Sequence, residues 1–127
     1  MNVLIVDDSI VMRKIIRKSL GETAYGVAEF TEAQDGMDAL NKCTASLPDL
    51  ILCDWNMPNM NGIDFVMRLR QMKTKKRPVI IMVTTEGTMG KMEEAMKQGV
   101  DSYVVKPFTP QDLERVISKA LDQQAKG

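Results

Sequence analysis

Residues 49–58 read DLILCDWNMP, in which the apolar run from Leu50 to Cys53 leads directly to a carboxylate, Asp54. A strand without a polar position has both faces buried, which is typical of a parallel sheet covered by helices. The acid that follows such a strand would lie at the edge of the sheet, partly exposed to solvent. The stretch therefore predicts a fold class and raises the question of why an acid stands there.

The whole chain alternates strand-like apolar runs with segments whose apolar residues keep helical spacing. This alternation predicts an α/β fold, in which right-handed crossovers place helices on both faces of a parallel sheet. We expect a doubly wound parallel sheet of five strands with five helices. The predicted strands cover residues 2–7, 27–33, 49–54, 78–84 and 102–106.

Local signals mark several helix ends. Ser9 is a predicted N-cap, and Gly99 is a predicted C′ residue that closes the fourth helix. Thr109-Pro110 is predicted to start the last helix, with Asp112 facing the positive end of the helix dipole.

The composition is that of an ordinary soluble globular domain. The 127 residues include 17 basic and 17 acidic side chains, so the net charge gives no general affinity for nucleic acid. No apolar run approaches the roughly 20 residues of a membrane helix, and the N-terminus lacks the pattern of a signal peptide. We expect one domain over residues 1–127, a fraying tail at 123–127 and a cytoplasmic location.

The sequence contains no histidine and two cysteines, Cys43 and Cys53, without a pairing pattern. Histidine-based catalytic relays and histidine-ligated zinc are therefore excluded. The cysteines are expected to be reduced, packed and inert. Chemistry must come from carboxylates, hydroxyls, lysine and a metal ion.

The predicted strands end in chemically active side chains: Asp7 and Asp8 after the first, Asp54 after the third, Thr84 after the fourth and Lys106 after the fifth. Since the carboxyl ends of parallel strands meet at one edge of a sheet, these groups should gather there. Three carboxylates ionise together at low cost only when cations compensate them, and oxygen ligands favour Mg²⁺ over zinc. The set suits phosphoryl transfer, with one of the three aspartates as the covalent acceptor.

These residues resemble the set that defines response-regulator receiver domains, and the similarity extends over essentially the whole chain. The resemblance implies a flavodoxin-like α/β fold, with the five strands in the order 2-1-3-4-5. Each motif is weak alone, but their order and their places at strand ends make the combination specific. One departure is Asn61, where many members of the family carry an acid. The matching motifs are Asp7-Asp8, Asp54 followed by Met57-Pro58 and Gly62, Thr84, and Lys106-Pro107-Phe108.

The resemblance implies a role for each site residue. Asp54 would be the phosphoacceptor, forming a 4-aspartylphosphate with a phosphoryl group from a histidine kinase. Mg²⁺ would be held by the side chains of Asp8 and Asp54 and by the carbonyl of Asn56, with Asp7 assisting partly through water. Lys106 would contact the phosphoryl oxygens.

The resemblance also implies a conformational switch. Thr84 would move to hydrogen-bond the phosphoryl group, and Tyr103 would follow it inward. Asn56 and Glu86 occupy the two positions that tune the lifetime of the phosphoryl group in this family. The Lys106–Pro107 peptide bond is expected to be cis.

The resemblance further implies a signalling switch and not an enzyme with an external substrate. Since no DNA-binding or enzymatic domain follows the last helix, the output is expected to be protein binding by a monomer. Residues Trp55, Asn56, Glu86 and Tyr103 match the chemotaxis type, whose active form docks on the flagellar motor switch. A phosphorelay intermediate serving a phosphotransfer protein, a phosphate sink, and a phosphatase partner all remain open.

Two functions of other classes are disfavoured. A flavodoxin-like cofactor binder needs a phosphate-cradling loop after its first strand, where this chain has acids. A phosphatase that works through an aspartyl phosphate needs an acid two residues after the nucleophile, and Asn56 stands there.

Several features also have a purely structural interpretation. Thr84-Thr85 could cap the fourth helix, and Trp55 could be loop packing as well as a reporter of the site. The basic run at 73–77 is predicted to be a solvated loop. Three methionines with helical spacing are expected to fill the core in preference to lining a docking groove. They are Met89, Met92 and Met96.

Overall fold

The computed structural model describes residues 1–85 and 87–126, and within them the chain forms five strands and five helices. The strands are β1 (Asn2–Val6), β2 (Glu29–Ala33), β3 (Leu50–Cys53), β4 (Val79–Thr84) and β5 (Ser102–Val105). The helices are α1 (Ile10–Gly21), α2 (Gly36–Ala45), α3 (Gly62–Gln71), α4 (Met89–Lys97) and α5 (Pro110–Lys126).

The strands form one parallel sheet in the order β2-β1-β3-β4-β5, which confirms the predicted flavodoxin-like topology. The direction in which successive strands are added across the sheet reverses between β1 and β3, because β2 lies on one side of β1 and β3 on the other. In such sheets the crevice beyond the carboxyl ends of the strands, at this switch in order, is where ligands bind.

The apolar side chains of β3 explain why that strand has no polar position. Its four residues are fully buried, and they alternate between two hydrophobic clusters on opposite faces of the sheet. Ile51 packs in the cluster that includes Phe65 of α3, whereas Leu52 packs in the cluster that includes Leu113 of α5. Each such side chain contributes about 1.5–3 kcal/mol to stability, so the sheet is a rigid platform for its edge.

The helix-end predictions are confirmed. The Ser9 hydroxyl accepts from the N–H of Met12, and Gly99 has the positive φ of a C′ residue. Thr109 and Asp112 bond reciprocally at the start of α5, each side chain accepting from the other's N–H, at 3.0 and 3.1 Å. Such a capping box satisfies N–H groups that the helix leaves without partners.

Two predicted boundaries are wrong. The second strand begins at Glu29 and not at Val27, because residues 23–28 form hydrogen-bonded turns that leave Val27 95% exposed. The tail predicted from residue 123 is helical through Lys126, and the side-chain amide of Gln124 donates to the carbonyl of Arg77. Gly127 lies outside the described residues.

The three methionines of α4 are not in the core, contrary to the prediction. Met89 is 75% exposed, Met96 is 47% exposed and Met92 is half-buried. The buried position of α4 is Ala95, which packs toward the sheet and turns the methionine face outward. The methionines line a shallow apolar groove together with Tyr103 of β5.

Both cysteines are buried and reduced, as predicted. Burial raises the pKa of the Cys43 thiol to about 11 and raises the pKa of Cys53 as well. Neither thiol is therefore a nucleophile at neutral pH. In the described part of the chain, no helix is both long enough and apolar enough to cross a membrane.

Candidate functional site

Three of the predicted site residues lie one position beyond a strand and are still held by the sheet. The backbone N–H groups of Asp7, Asp54 and Lys106 each donate to a carbonyl of the neighbouring strand, at 3.1, 2.9 and 2.8 Å respectively. Each side chain therefore projects from a backbone position that the sheet fixes. That arrangement is what a preorganised site requires.

The structure brings the three predicted carboxylates together. One carboxylate oxygen from each of Asp7, Asp8 and Asp54 lies within 4.8 Å of the others. Asp7 is buried, Asp54 is half-buried and Asp8 is exposed, so the cluster opens to solvent on the Asp8 side. The N–H of Ser9 donates to the Asp7 carboxylate at 2.9 Å, which fixes its orientation at the start of α1.

Lys106 is the cation that contacts two of these carboxylates. Its ammonium lies 3.2 Å from the Asp7 carboxylate and 3.5 Å from that of Asp54, with 15% of the lysine side chain exposed. One ammonium against three carboxylates leaves two negative charges uncompensated when all are ionised. Arg13 donates to the backbone carbonyl of Asp7, but its charge is balanced by Glu32 at 2.9 Å.

The electrostatics of the cluster disfavour the ionised form of Asp54. Burial raises the pKa of Asp54, and the Asp7 carboxylate raises it further, while Lys106 acts in the opposite direction without cancelling them. Additional positive charge at this place would therefore be bound favourably.

The donor set fits Mg²⁺. It consists of oxygen atoms from carboxylates that lie close together, with a negative charge, partial burial and one open side. Hard divalent cations prefer such ligands, and Mg²⁺ held by few carboxylates keeps positions for phosphate oxygens. Asn56 is exposed on the loop that follows Asp54, next to this cluster in sequence.

The loop after Asp54 packs closely against the sheet. The N–H of Gly62 donates to the Trp55 carbonyl at 2.8 Å, and a Cβ at Gly62 would lie 2.1 Å from the Asp54 carbonyl oxygen. Only glycine allows this approach. The side chain of Asn61 caps α3 by accepting from the N–H of Asp64. The asparagine at this position, where many members of the family carry an acid, therefore has a structural role.

Trp55 is 6% exposed and belongs to a core cluster, so its role in packing is confirmed. Its ring also lies 5.0 Å from the ammonium of Lys91 on α4, within the range of a cation–π contact. The use of Trp55 as a reporter of the site stays a prediction. It is supported by the hydrogen bond that the backbone N–H of Trp55 donates to the Asp54 carboxylate at 2.9 Å.

The predicted switch residues lie on adjacent strands. Thr84 ends β4 and is 2% exposed, and Tyr103 lies half-buried on β5. The interpretation of Thr84-Thr85 as a helix cap is wrong, because Thr88 caps α4. The Lys106–Pro107 peptide bond is cis, as predicted. Glu86 lies outside the described residues.

Comparison with known proteins agrees with this architecture. The chain belongs to the response regulator receiver domain family, whose model matches residues 3–118. It is 43% identical over 122 residues to chemotaxis protein CheY1 of Helicobacter pylori, covering 95% of this chain and 97% of the relative. It is 42% identical to the chemotaxis protein CheY homolog of Campylobacter jejuni, covering 95% of this chain and 92% of the relative.

A solved structure is similar over the same extent. Chemotaxis response regulator CheY4 of Vibrio cholerae superposes with a TM-score of 0.84 at 35% identity, covering 94% of this chain and 97% of that chain. These similarities make the protein a CheY-like response regulator of two-component signalling, and they support the chemotaxis type.

Proposed function

We propose that the protein is switched on by phosphorylation of Asp54 by a histidine kinase and signals by binding the flagellar motor switch. The observation that carries the proposal is the cluster of three carboxylates served by one lysine at the carboxyl edge of the sheet. Membership of the receiver family and similarity to chemotaxis proteins support it. A cytoplasmic location, a monomeric state and a phosphatase partner stay predictions.

In the proposed reaction, a carboxylate oxygen of Asp54 attacks the phosphorus of a phosphohistidine. A P–O bond forms, the P–N bond breaks, and the imidazole leaves as it takes up a proton from solvent. The ammonium of Lys106, which already lies 3.5 Å from Asp54, stabilises the phosphoryl oxygens. Burial raises the pKa of Asp54 and Lys106 acts in the opposite direction, which favours the ionised carboxylate that the attack requires.

The residues that would hold Mg²⁺ are the side chains of Asp8 and Asp54 and the carbonyl of Asn56, with Asp7 acting partly through water. When bound, Mg²⁺ would neutralise charge on the phosphoryl group as it is transferred.

The output would come from a shift between two conformations. In the active state, the Thr84 hydroxyl would bond the phosphoryl group and Tyr103 would occupy a more buried position. Tyr103 lines the exposed methionine groove of α4, so its movement would reshape that groove. Methionine side chains adapt readily to a partner, which suits the groove for docking.

The acceptor is tested by phosphate uptake. Wild type incubated with acetyl phosphate and Mg²⁺ should take up about one phosphoryl group per chain, and Asp54→Asn should take up none, because the amide is not a competent nucleophile. Asp112→Asn removes a carboxylate of α5 whose side chain is 42% exposed and which is not part of the cluster, and should leave uptake unchanged. Equal stoichiometry in wild type and Asp54→Asn, measured by intact-protein mass spectrometry, would show that Asp54 is not the acceptor.

The partner is tested by binding to the N-terminal peptide of a cognate flagellar switch protein, with Mg²⁺ and with or without beryllium fluoride. A response of Trp55 fluorescence shows that the phosphoryl mimic occupies the site, and we expect at least tenfold tighter peptide binding in that state. A Trp55 response without tighter binding would refute the motor-switch partner. It would instead favour a phosphorelay intermediate or a phosphate sink.

A further inference from the structure

Asp35, at the start of α2, contacts the loop that carries Asn56. We propose that Asp35 is a positioning residue for the metal site: it holds the β3–α3 loop, residues 55–61, so that the Asn56 carbonyl is presented to the cation. This inference rests on the proposed function, because it concerns the Mg²⁺ that the carboxylate cluster would bind.

Both oxygens of the Asp35 carboxylate are used. One accepts from the side-chain amide of Asn59 at 2.9 Å, and the other accepts from the N–H of Asp38 at 2.8 Å. The second bond caps α2, so the carboxylate is fixed to that helix. Asp35 is only 6% exposed although it lies between elements, which places these bonds in a partly desolvated environment. Hydrogen bonds to a charged, desolvated acceptor are the stronger kind.

A backbone contact reinforces the side-chain contact. The N–H of Gly36 donates to the Met60 carbonyl at 2.9 Å. A Cβ at Gly36 would lie 2.6 Å from that carbonyl oxygen, so the two segments meet at a distance that only glycine permits. Asn59 itself has a φ of 67°, in the left-handed region that few residues other than glycine adopt. The loop therefore turns where Asn59 and Met60 touch α2.

These contacts hold the later part of the loop, at Asn59 and Met60. The ends of the loop are fixed elsewhere, by the bond from Gly62 to the Trp55 carbonyl and by the bond from the Trp55 N–H to Asp54. Asn59 is three residues beyond Asn56, so the loss of its bond to Asp35 would remove one of the contacts that fix the segment with the proposed ligand. Residues that orient the ligands of a metal ion affect the affinity for the metal without contacting it.

Two variants separate the loop contact from the helix cap. Asn59→Gly removes the side-chain amide and tolerates the positive φ, while Asp35 still caps α2. Asp35→Ser keeps an N-cap oxygen for the Asp38 N–H but is too short to reach the amide of Asn59 as well. Thr109→Ala is the matched control, because it removes a cap of α5 that is not part of the loop.

The experiment titrates each full-length variant with Mg²⁺ alone and follows Trp55 fluorescence, with calorimetry as a second probe. Asn59→Gly and Asp35→Ser should bind Mg²⁺ about tenfold more weakly than wild type, and Thr109→Ala should bind as wild type does. Phosphorylation of the two loop variants by acetyl phosphate should return to the wild-type rate at saturating Mg²⁺. Wild-type affinity in both loop variants, or rates that stay low at saturating Mg²⁺, would overturn the positioning role.

The same titration distinguishes this inference from the proposed function. If wild type binds Mg²⁺ and Asp54→Asn does not, the metal site stands and the loop variants decide the role of Asp35. If wild type shows no binding by either probe, the metal site is wrong and the role of Asp35 falls with it.

Discussion

Charged residues of the same kinds lie at both edges of the sheet: the amino edge, where the strands begin, and the carboxyl edge, where they end. The two edges differ in how far positive and negative charges are paired. At the amino edge, Asp101 accepts from Arg70 at 3.0 Å, from Arg77 at 2.7 Å and from the backbone N–H of Ile80 at 2.8 Å. At the carboxyl edge, three carboxylates share one ammonium. Among the described residues, the charge of Asp101 at the amino edge is therefore compensated, and that of the three carboxylates at the carboxyl edge is only partly so.

The difference is visible in the pKa directions. The pKa of Asp49, which precedes β3 at the amino edge, is lowered by the N–H of Asn2 and by Lys76. The pKa of Asp54, which follows the same strand, is raised by burial and by Asp7. An acid whose pKa is lowered stabilises the fold at neutral pH, and one whose pKa is raised destabilises it. Asp49 at one edge of the sheet thus supports the fold, while Asp54 at the other edge opposes it.

The largest expected effect on stability comes from breaking the balance at the amino edge. Asp101→Asn should lower the free energy of unfolding by about 2 kcal/mol, because it removes the charge that Arg70 and Arg77 share and weakens the bond from the Ile80 N–H. The Arg70 side chain is only 16% exposed, so water replaces its partner poorly. The measurement is urea unfolding followed by circular dichroism.

The control for this change is a solvent-exposed ion pair on the surface of the protein. Arg115→Ala removes a partner of Asp112 on α5, where the arginine side chain is 71% exposed, and should change stability by less than about 0.5 kcal/mol. If Asp101→Asn changed stability no more than this control does, the amino edge would not be the compensated, stabilising edge described above.

The clustering of the site residues could be predicted for two reasons. Each residue stands at the end of a strand that is recognisable in the sequence, and the parallel topology places those ends at one edge of the sheet. An apolar run that ends in an acid or a lysine is readable in the sequence, and parallel strands necessarily end at one edge. Asp54 and Lys106 are 52 residues apart in the chain, and only the strand order brings them within 3.5 Å. The strand order followed from the alternation of strands and helices together with the family resemblance.

The features that were not predicted depend on side-chain packing, which the spacing of residues along the sequence does not encode. The spacing of Met89, Met92 and Met96 marks one helical face correctly, but it does not say that the small residue Ala95 is the one facing the sheet. The bond between Asp35 and Asn59 joins two loops, and loops lack the periodicity on which sequence prediction depends. The contact between Asp35 and Asn59 was therefore not predicted, whereas the clustering of the three carboxylates with Lys106 was.

A smaller effect, of opposite sign, is expected at the carboxyl edge. In Mg²⁺-free buffer at pH 7, Asp54→Asn should raise the free energy of unfolding by about 1 kcal/mol, because it removes a half-buried charge that is repelled by Asp7. The folded-state pKa of Asp54 is raised above its ordinary value of 3.8. Its contribution to stability is therefore fully present below pH 3.8 and is lost as the pH rises through the folded-state pKa. The advantage of Asp54→Asn over wild type should accordingly shrink as the pH falls.

This comparison isolates Asp54, since every other titrating group is common to the two proteins. Urea unfolding of both at a series of pH values, with a chelator present, gives the difference directly, and adding Mg²⁺ should stabilise wild type more than the variant. A variant that is less stable than wild type at pH 7 without Mg²⁺ would mean that Lys106 already compensates the cluster. The contrast between the two edges would then be one of burial alone, and the carboxyl edge would need no cation to complete it.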